Sequence, residues 1–198
     1  MRDAPAGTIG DGVPTPAAYS DELLAAARRS IEHGLARGTP PPLEITAHPP
    51  ALQRERASFV TLLDGGGRLR GCIGSIEARR PLIADVSENA FSAAFEDPRF
   101  PALTPAEYRA IEIKLALLTP PEPIAFHDED DLVAGLRPGE DGVMLIAGEH
   151  RGTLLPAVWE QIPDAREFWQ TVKRKAGLAR GDWPADMQVY RYRTETIA

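Results

Sequence analysis

The 198 residues include 29 acidic and 22 basic side chains, a formal charge of −7, and 43% of them are hydrophobic. That balance argues against a generic nucleic-acid or membrane-surface binder, and the length suits one sizeable core or two small subdomains sharing one. A single cysteine excludes an intrachain disulfide and no apolar run reaches the length of a membrane span, so a cytoplasmic protein in a reducing compartment is expected.

Residues 1–16 are rich in Gly, Pro and Ala without an apolar signal core, and read as a flexible N-terminal tail ahead of one domain over 17–198. Ser20 sits where a helix N-cap belongs, with Asp21 and Glu22 in the first turn and Leu23, Leu24, Ala27 and Ile31 along one face. Gly34 and Gly38 are expected to stop that helix, and prolines at 40–42 and 49–50 make extended connectors. Between Ala57 and Ile76 a hairpin is expected: a strand Ser58 to Leu63, a turn through Gly65, Gly66 and Gly67, and a second arm, Leu69-Arg70-Gly71-Cys72-Ile73-Gly74. Glycine inside a strand packs nothing, so Gly71 and Gly74 mark a bulge or a close approach to the backbone around Cys72.

Pro81 suits the first turn of a helix running to about Phe95, with Leu82, Val86, Ala90 and Phe91 at helical spacing. A loop stiffened by two prolines follows, Glu96-Asp97-Pro98-Arg99-Phe100-Pro101, and then a capping box from Thr104 to Glu107. Ile111, Ile113, Leu115 and Leu117 alternate with Glu112, Lys114 and Ala116 as a strand with one buried face. Beyond Pro123, His127 and the acidic run after it lead into a short helix ending at Gly135. A second hairpin is expected from Val143 to Ala147, a turn over 148–152, and Thr153 to Leu155. Asp164 and Glu167 cap a helix that stops at Gly177, with Lys173, Arg174 and Lys175 in its last turn, where the dipole favours cations. One closing strand is expected from Met187 to Thr196. Helices and hairpins mixed without a βαβ repeat predict an α+β fold with a mixed or largely antiparallel sheet, flanking helices and two intimately packed subdomains.

Three stretches carry a resemblance: Leu69 to Gly74; Ala94-Phe95-Glu96-Asp97-Pro98-Arg99-Phe100 with Pro101; and Gly152-Thr153-Leu154-Leu155-Pro156 with the helix ending Lys175-Ala176-Gly177. In this order, over roughly residues 20–195, they resemble the AMMECR domain family, whose bacterial form is protein A of the AmmeMemoRadiSam system. The resemblance implies an α+β fold of two subdomains and a setting beside a Memo-type protein and a radical S-adenosylmethionine protein. It assigns no reaction. The chain departs from many members at Ala157-Val158-Trp159, where they carry a glutamine before the valine.

The chemistry has two readings at each position. Cys72 is either a nucleophilic or redox thiol, with Arg70 on the same strand face favouring a thiolate, or a small buried residue in a tight gap. Asp97 and Arg99, held on either side of Pro98, are either a clamp for a carboxylate or phosphate or a structural ion pair. His127 with Asp128, Asp130 and Asp131 has the composition of a metal cluster, yet a capped helix start explains it more simply, and no metal is expected. His150, in the second hairpin, is a candidate base towards Cys72. The basic, tyrosine-bearing C-terminal segment is read as a solvated face and not as a nucleic-acid surface. The candidate site is therefore Cys72 as catalytic thiol, with Arg70, Gly71, Gly74, Asp97, Arg99 and His150 as binding residues and no cofactor. The expectation is an accessory or interaction module of a Memo/radical S-adenosylmethionine system. The alternative is an enzyme in which Cys72 reacts while Arg70 and Arg99 bind an anionic substrate.

Overall fold

The computed structural model describes residues 16–198; the tail expected over 1–16 lies outside them except for Pro16, which opens a 3-10 turn, Pro16–Tyr19. In chain order the helices are α1 (Ser20–Arg37), α2 (Pro50–Gln53), α3 (Leu82–Phe95), α4 (Pro105–Tyr108), α5 (Glu129–Ala134) and α6 (Ala165–Lys175). The strands are β1 (Ser58–Leu63), β2 (Leu69–Gly74), β3 (Glu112–Leu118), β4 (Glu122–Pro123), β5 (Gly142–Ala147), β6 (His150–Leu154), β7 (Gln188–Tyr192) and β8 (Thr194–Ile197). They form two four-stranded sheets, so the α+β expectation holds.

The chain divides into two units, the first taking the described residues up to Leu117 together with Glu195–Ala198 and the second Leu118–Thr194. In the first unit the strand order is β2-β1-β3-β8, with β1 antiparallel to both neighbours and a register shift between Leu62 and Leu63. The predicted alternation is present: Ile113, Leu115 and Leu117 are buried while Glu112 is exposed. They join Leu23, Ala27 and Ile31 of α1 and Val86, Ala90 and Ala94 of α3 in one apolar cluster, which removes their surface from water. Gly34 does not stop α1. It is buried inside the helix, where an added Cβ would lie 2.3 Å from the Phe95 ring, and Gly38 with φ +74° is the left-handed C-cap.

The second unit has the order β4-β7-β5-β6 and a separate cluster containing Val143, Leu145, Val189, Leu132, Phe168, Trp169 and Val172. Trp159 stacks on Phe168 at 3.7 Å between ring centroids, and its indole N–H donates to the Asp141 carbonyl at 2.7 Å. Three expectations are corrected here. The second hairpin turns on two residues, Gly148-Glu149, because Ala147 pairs directly with His150; His150 therefore lies on β6 and not in the turn. The single closing strand is two strands in different sheets, β7 in the second unit's and β8 in the first's. Lys173 is not solvated: it is 1% exposed, with Nζ donating to the Arg180 carbonyl at 2.6 Å and pairing with Glu129 at 3.3 Å. Among the described residues no helix is long and apolar enough to cross a membrane.

Candidate functional site

Strand β2 and the loop after α3 meet at Cys72. Thr61 faces Cys72 across the hairpin, and Ser75 N–H bonds the Ser58 carbonyl at 2.9 Å. Antiparallel pairs alternate, so that bond makes Thr61–Cys72 a pair without mutual backbone bonds, and the backbone N–H and C=O of Cys72 face away from β1. Two side chains take them up. Cys72 N–H donates to Asp97 Oδ2 at 2.9 Å, and Arg99 Nη2 donates to the Cys72 carbonyl at 3.1 Å. Arg99 also binds Asp97 through Nε at 2.9 Å and Nη2 at 2.7 Å, so the carboxylate and guanidinium stand where a neighbouring strand would. Pro98 holds the two residues at the spacing this needs, and Arg99 N–H closes the turn onto Asp97 Oδ1 at 3.1 Å.

The electrostatics follow. The Arg99 guanidinium holds the buried Asp97 carboxyl well below the usual carboxylate range, against the effect of burial and with help from the Cys72 N–H. Asp97 in turn pushes the Arg99 pKa up, and a further contribution in the same direction comes from Cys72. The Cys72 thiol is half-buried and lies 3.3 Å from Thr61 Oγ1.

Arg70 is committed elsewhere. It is 8% exposed, donates through Nε to Glu107 Oε1 at 2.8 Å and through Nη2 to the Pro101 carbonyl at 2.9 Å, while Nη1 is buried without a partner. These bonds and those from Thr104 lower the Glu107 carboxyl to about 2. The expected capping box of Thr104 and Glu107 is present, and Glu107 serves the helix start and Arg70 together. Phe100 packs under both guanidinium groups, with ring centroids 5.7 Å from Arg70 and 5.6 Å from Arg99.

The glycines have an internal explanation. A Cβ on Gly71 would lie 2.1 Å from the Ala93 carbonyl oxygen of α3, and one on Gly74 would lie 2.2 Å from the Phe59 ring. The close approach that the sequence signalled is made by the fold itself. Gly152 repeats the device in the second unit, where a Cβ would meet Val172 O and Ala176 N of α6 at 2.6 Å.

Of the predicted residues, Arg70, Gly71, Cys72, Gly74, Asp97 and Arg99 are in the first unit, where hydrogen bonds join Cys72, Asp97 and Arg99 while Arg70 is paired with Glu107 instead. His150 is in the second, where Nδ1–H donates to the Ala176 carbonyl at 3.0 Å. His127 and Asp131 make a helix-start pair, with His127 N–H on Asp131 Oδ2 at 3.0 Å. The C-terminal segment is not a free basic and aromatic face. Tyr192 is buried and its hydroxyl is pushed up to about 12 by desolvation, Arg191 pairs with Asp141 and Arg193 with Glu140.

Sequence reasoning missed one cluster. Asp85, 1% exposed, accepts at Oδ2 from Ser58 N–H, Ser58 Oγ and Asn89 Nδ2, and at Oδ1 from Ser75 Oγ and Arg80 Nε. It ties α3 to the start of β1 and to the residue after β2. The signal was there: Asp85 and Asn89 stand one turn apart on a helix whose other buried positions are mostly apolar.

A family model described as AMMECR1 matches residues 24–197. A Methanothermobacter thermautotrophicus protein is 38% identical over 175 residues, covering 87% of this chain and 90% of its own. A Thermofilum pendens protein is 36% identical over 186 residues, covering 87% and 86%. The crystal structure of the uncharacterised protein PH0010 from Pyrococcus horikoshii superposes with a TM-score of 0.80 at 32% identity, covering 90% of each chain.

Proposed function

The chain belongs to the AMMECR1 family, and on that premise we propose that it is an accessory or interaction module: it docks a partner protein, or presents a substrate to a separate enzyme, in a cytoplasmic Memo/radical S-adenosylmethionine system. The observation that carries this reading is the Asp97–Arg99 pair on the edge of β2. Both polar groups of the Cys72 backbone and both charges of the pair are satisfied within the fold, so the locus holds a defined surface with no acid and base left in reserve. Arg70 is likewise matched by Glu107.

The test mixes the purified chain with a purified Memo-type protein and a purified radical S-adenosylmethionine protein of the proposed system, followed by sedimentation velocity. A complex at roughly micromolar concentration, weakened about tenfold by Arg99→Ala, is the expected result. No complex with either protein at about a hundred times that concentration overturns it.

One observation favours the second reading, an enzyme using Cys72. Arg99 leaves about half its side chain exposed beside Cys72, which supports an anion-binding role. Alkylation of this single thiol against pH separates the two. A fast reaction with an apparent pKa well below about 8.5 supports the enzyme, and a thiol silent until unfolding removes it.

A further inference from the structure

The second unit has an open recess of about 610 Å³ beside the β5–β6 turn, lined among others by Glu149, His150, Asp182, Trp183 and Asp186. Trp183 is 39% exposed and is, with Leu69, one of two large hydrophobic side chains left exposed among the described residues. Two contacts hold it. The ring meets Phe126 edge-on at 5.7 Å, and the buried Lys173 ammonium, itself paired with Glu129, lies 5.9 Å from its centroid. An indole held this way is a preorganised platform, and indole is the strongest of the aromatic faces for a cation.

The rim supplies charge. Glu149, Asp182 and Asp186 are all exposed, and among the described residues no Lys, Arg or His is ion-paired with any of them. Asp182 Oδ2 accepts from the Ala179 N–H at 2.7 Å, which anchors its loop. His150 lines the same recess, held by its Nδ1–H donating to the Ala176 carbonyl at 3.0 Å.

We propose that this recess binds a lysine or arginine side chain presented by an extended, basic segment of a protein partner. The side chain lays its apolar stem and cationic head on the Trp183 face, and the three carboxylates match its charge. The recess has room for residues flanking the cation, and its negative rim repels a nucleic-acid backbone. The inference deepens the interaction-module reading and rests on it for a partner. The site itself is tested separately.

The probe is a fluorescently labelled peptide, Gly-Lys-Gly-Lys-Gly, titrated into the full chain with anisotropy as readout. Saturable binding is expected, weakened about tenfold by Trp183→Ala and by the pair Glu149→Gln with Asp186→Asn, and kept within about threefold by Trp183→Phe. All the substituted side chains are exposed, and circular dichroism checks that each variant is folded. Three results overturn the proposal: Trp183→Ala binding as well as the unchanged chain, spermidine competing as effectively as the peptide, or no binding at millimolar peptide. Loss of peptide binding with the Memo-type complex intact defeats this site alone; loss of that complex with peptide binding intact defeats the partnership alone.

Discussion

Gly71 has no room for a side chain, because the Ala93 carbonyl oxygen occupies the place where a Cβ would go. Backbone on both sides of the contact leaves nothing flexible to yield, so Gly71→Ala is expected to cost about 3 kcal/mol in urea denaturation. Glu107 carries a prediction of acid sensitivity. Its pKa falls from 4.5 unfolded to about 2 folded, chiefly through Arg70. A folded pKa below the unfolded one adds stability that is complete above about pH 4.5 and is lost as pH falls towards 2. Glu107→Gln should therefore lower the Tm at pH 7 and flatten the decline of Tm between those limits. The close approach at β2 was legible in the sequence, since a lone cysteine between strand glycines is unusual. The sequence did not reveal what the glycines meet, because Ala93 lies on a different element and no periodicity encodes a backbone-to-backbone approach. Nor did it show that Glu107, visible as a capping residue, also neutralises Arg70.

At the scale of the elements, α3 is fastened to the first hairpin through Asp85. Five hydrogen bonds converge on a carboxylate that is 1% exposed. Asp85→Ala leaves the Ser58 N–H and the Arg80 Nε–H without their acceptor, although Arg80 keeps its ion pair with Glu88, and is expected to cost about 3–5 kcal/mol in chemical denaturation. Asp85→Asn should fall between the two, because its amide oxygen replaces only part of that acceptor capacity. Helices and strands were legible where apolar spacing is strong, as in α3 and β3, and caps were legible at Thr104 and Asp164. Burial of charge was not. Lys173 lies in a run of three basic residues that any helix end tolerates, and only the fold places Glu129 and the Arg180 carbonyl around it.

For the molecule as a whole, the AMMECR-type motifs gave the family and the α+β class, but not the division of one predicted strand between two sheets. Val189, Tyr190, Arg191, Tyr192, Arg193 and Thr194 read as continuous alternation, and nothing local marks Arg193 as the point where the chain changes sheets. Residues 195–198 complete the first unit: Ile197 is 5% exposed in its apolar cluster and Glu195 pairs with Arg56 at 3.1 Å. Deleting them should destabilise the protein by about 3 kcal/mol or more, read as a lower denaturation midpoint. The same return of the chain orders events during synthesis. β3 is made with β1 already available on one side, but its neighbour β8 follows about 75 residues later, after the whole second unit has been translated. Until then a nascent chain carries a finished hairpin and helix beside an open strand. The interval before that rim closes, rather than the stability of the finished sheet, sets how long a chaperone has something to hold.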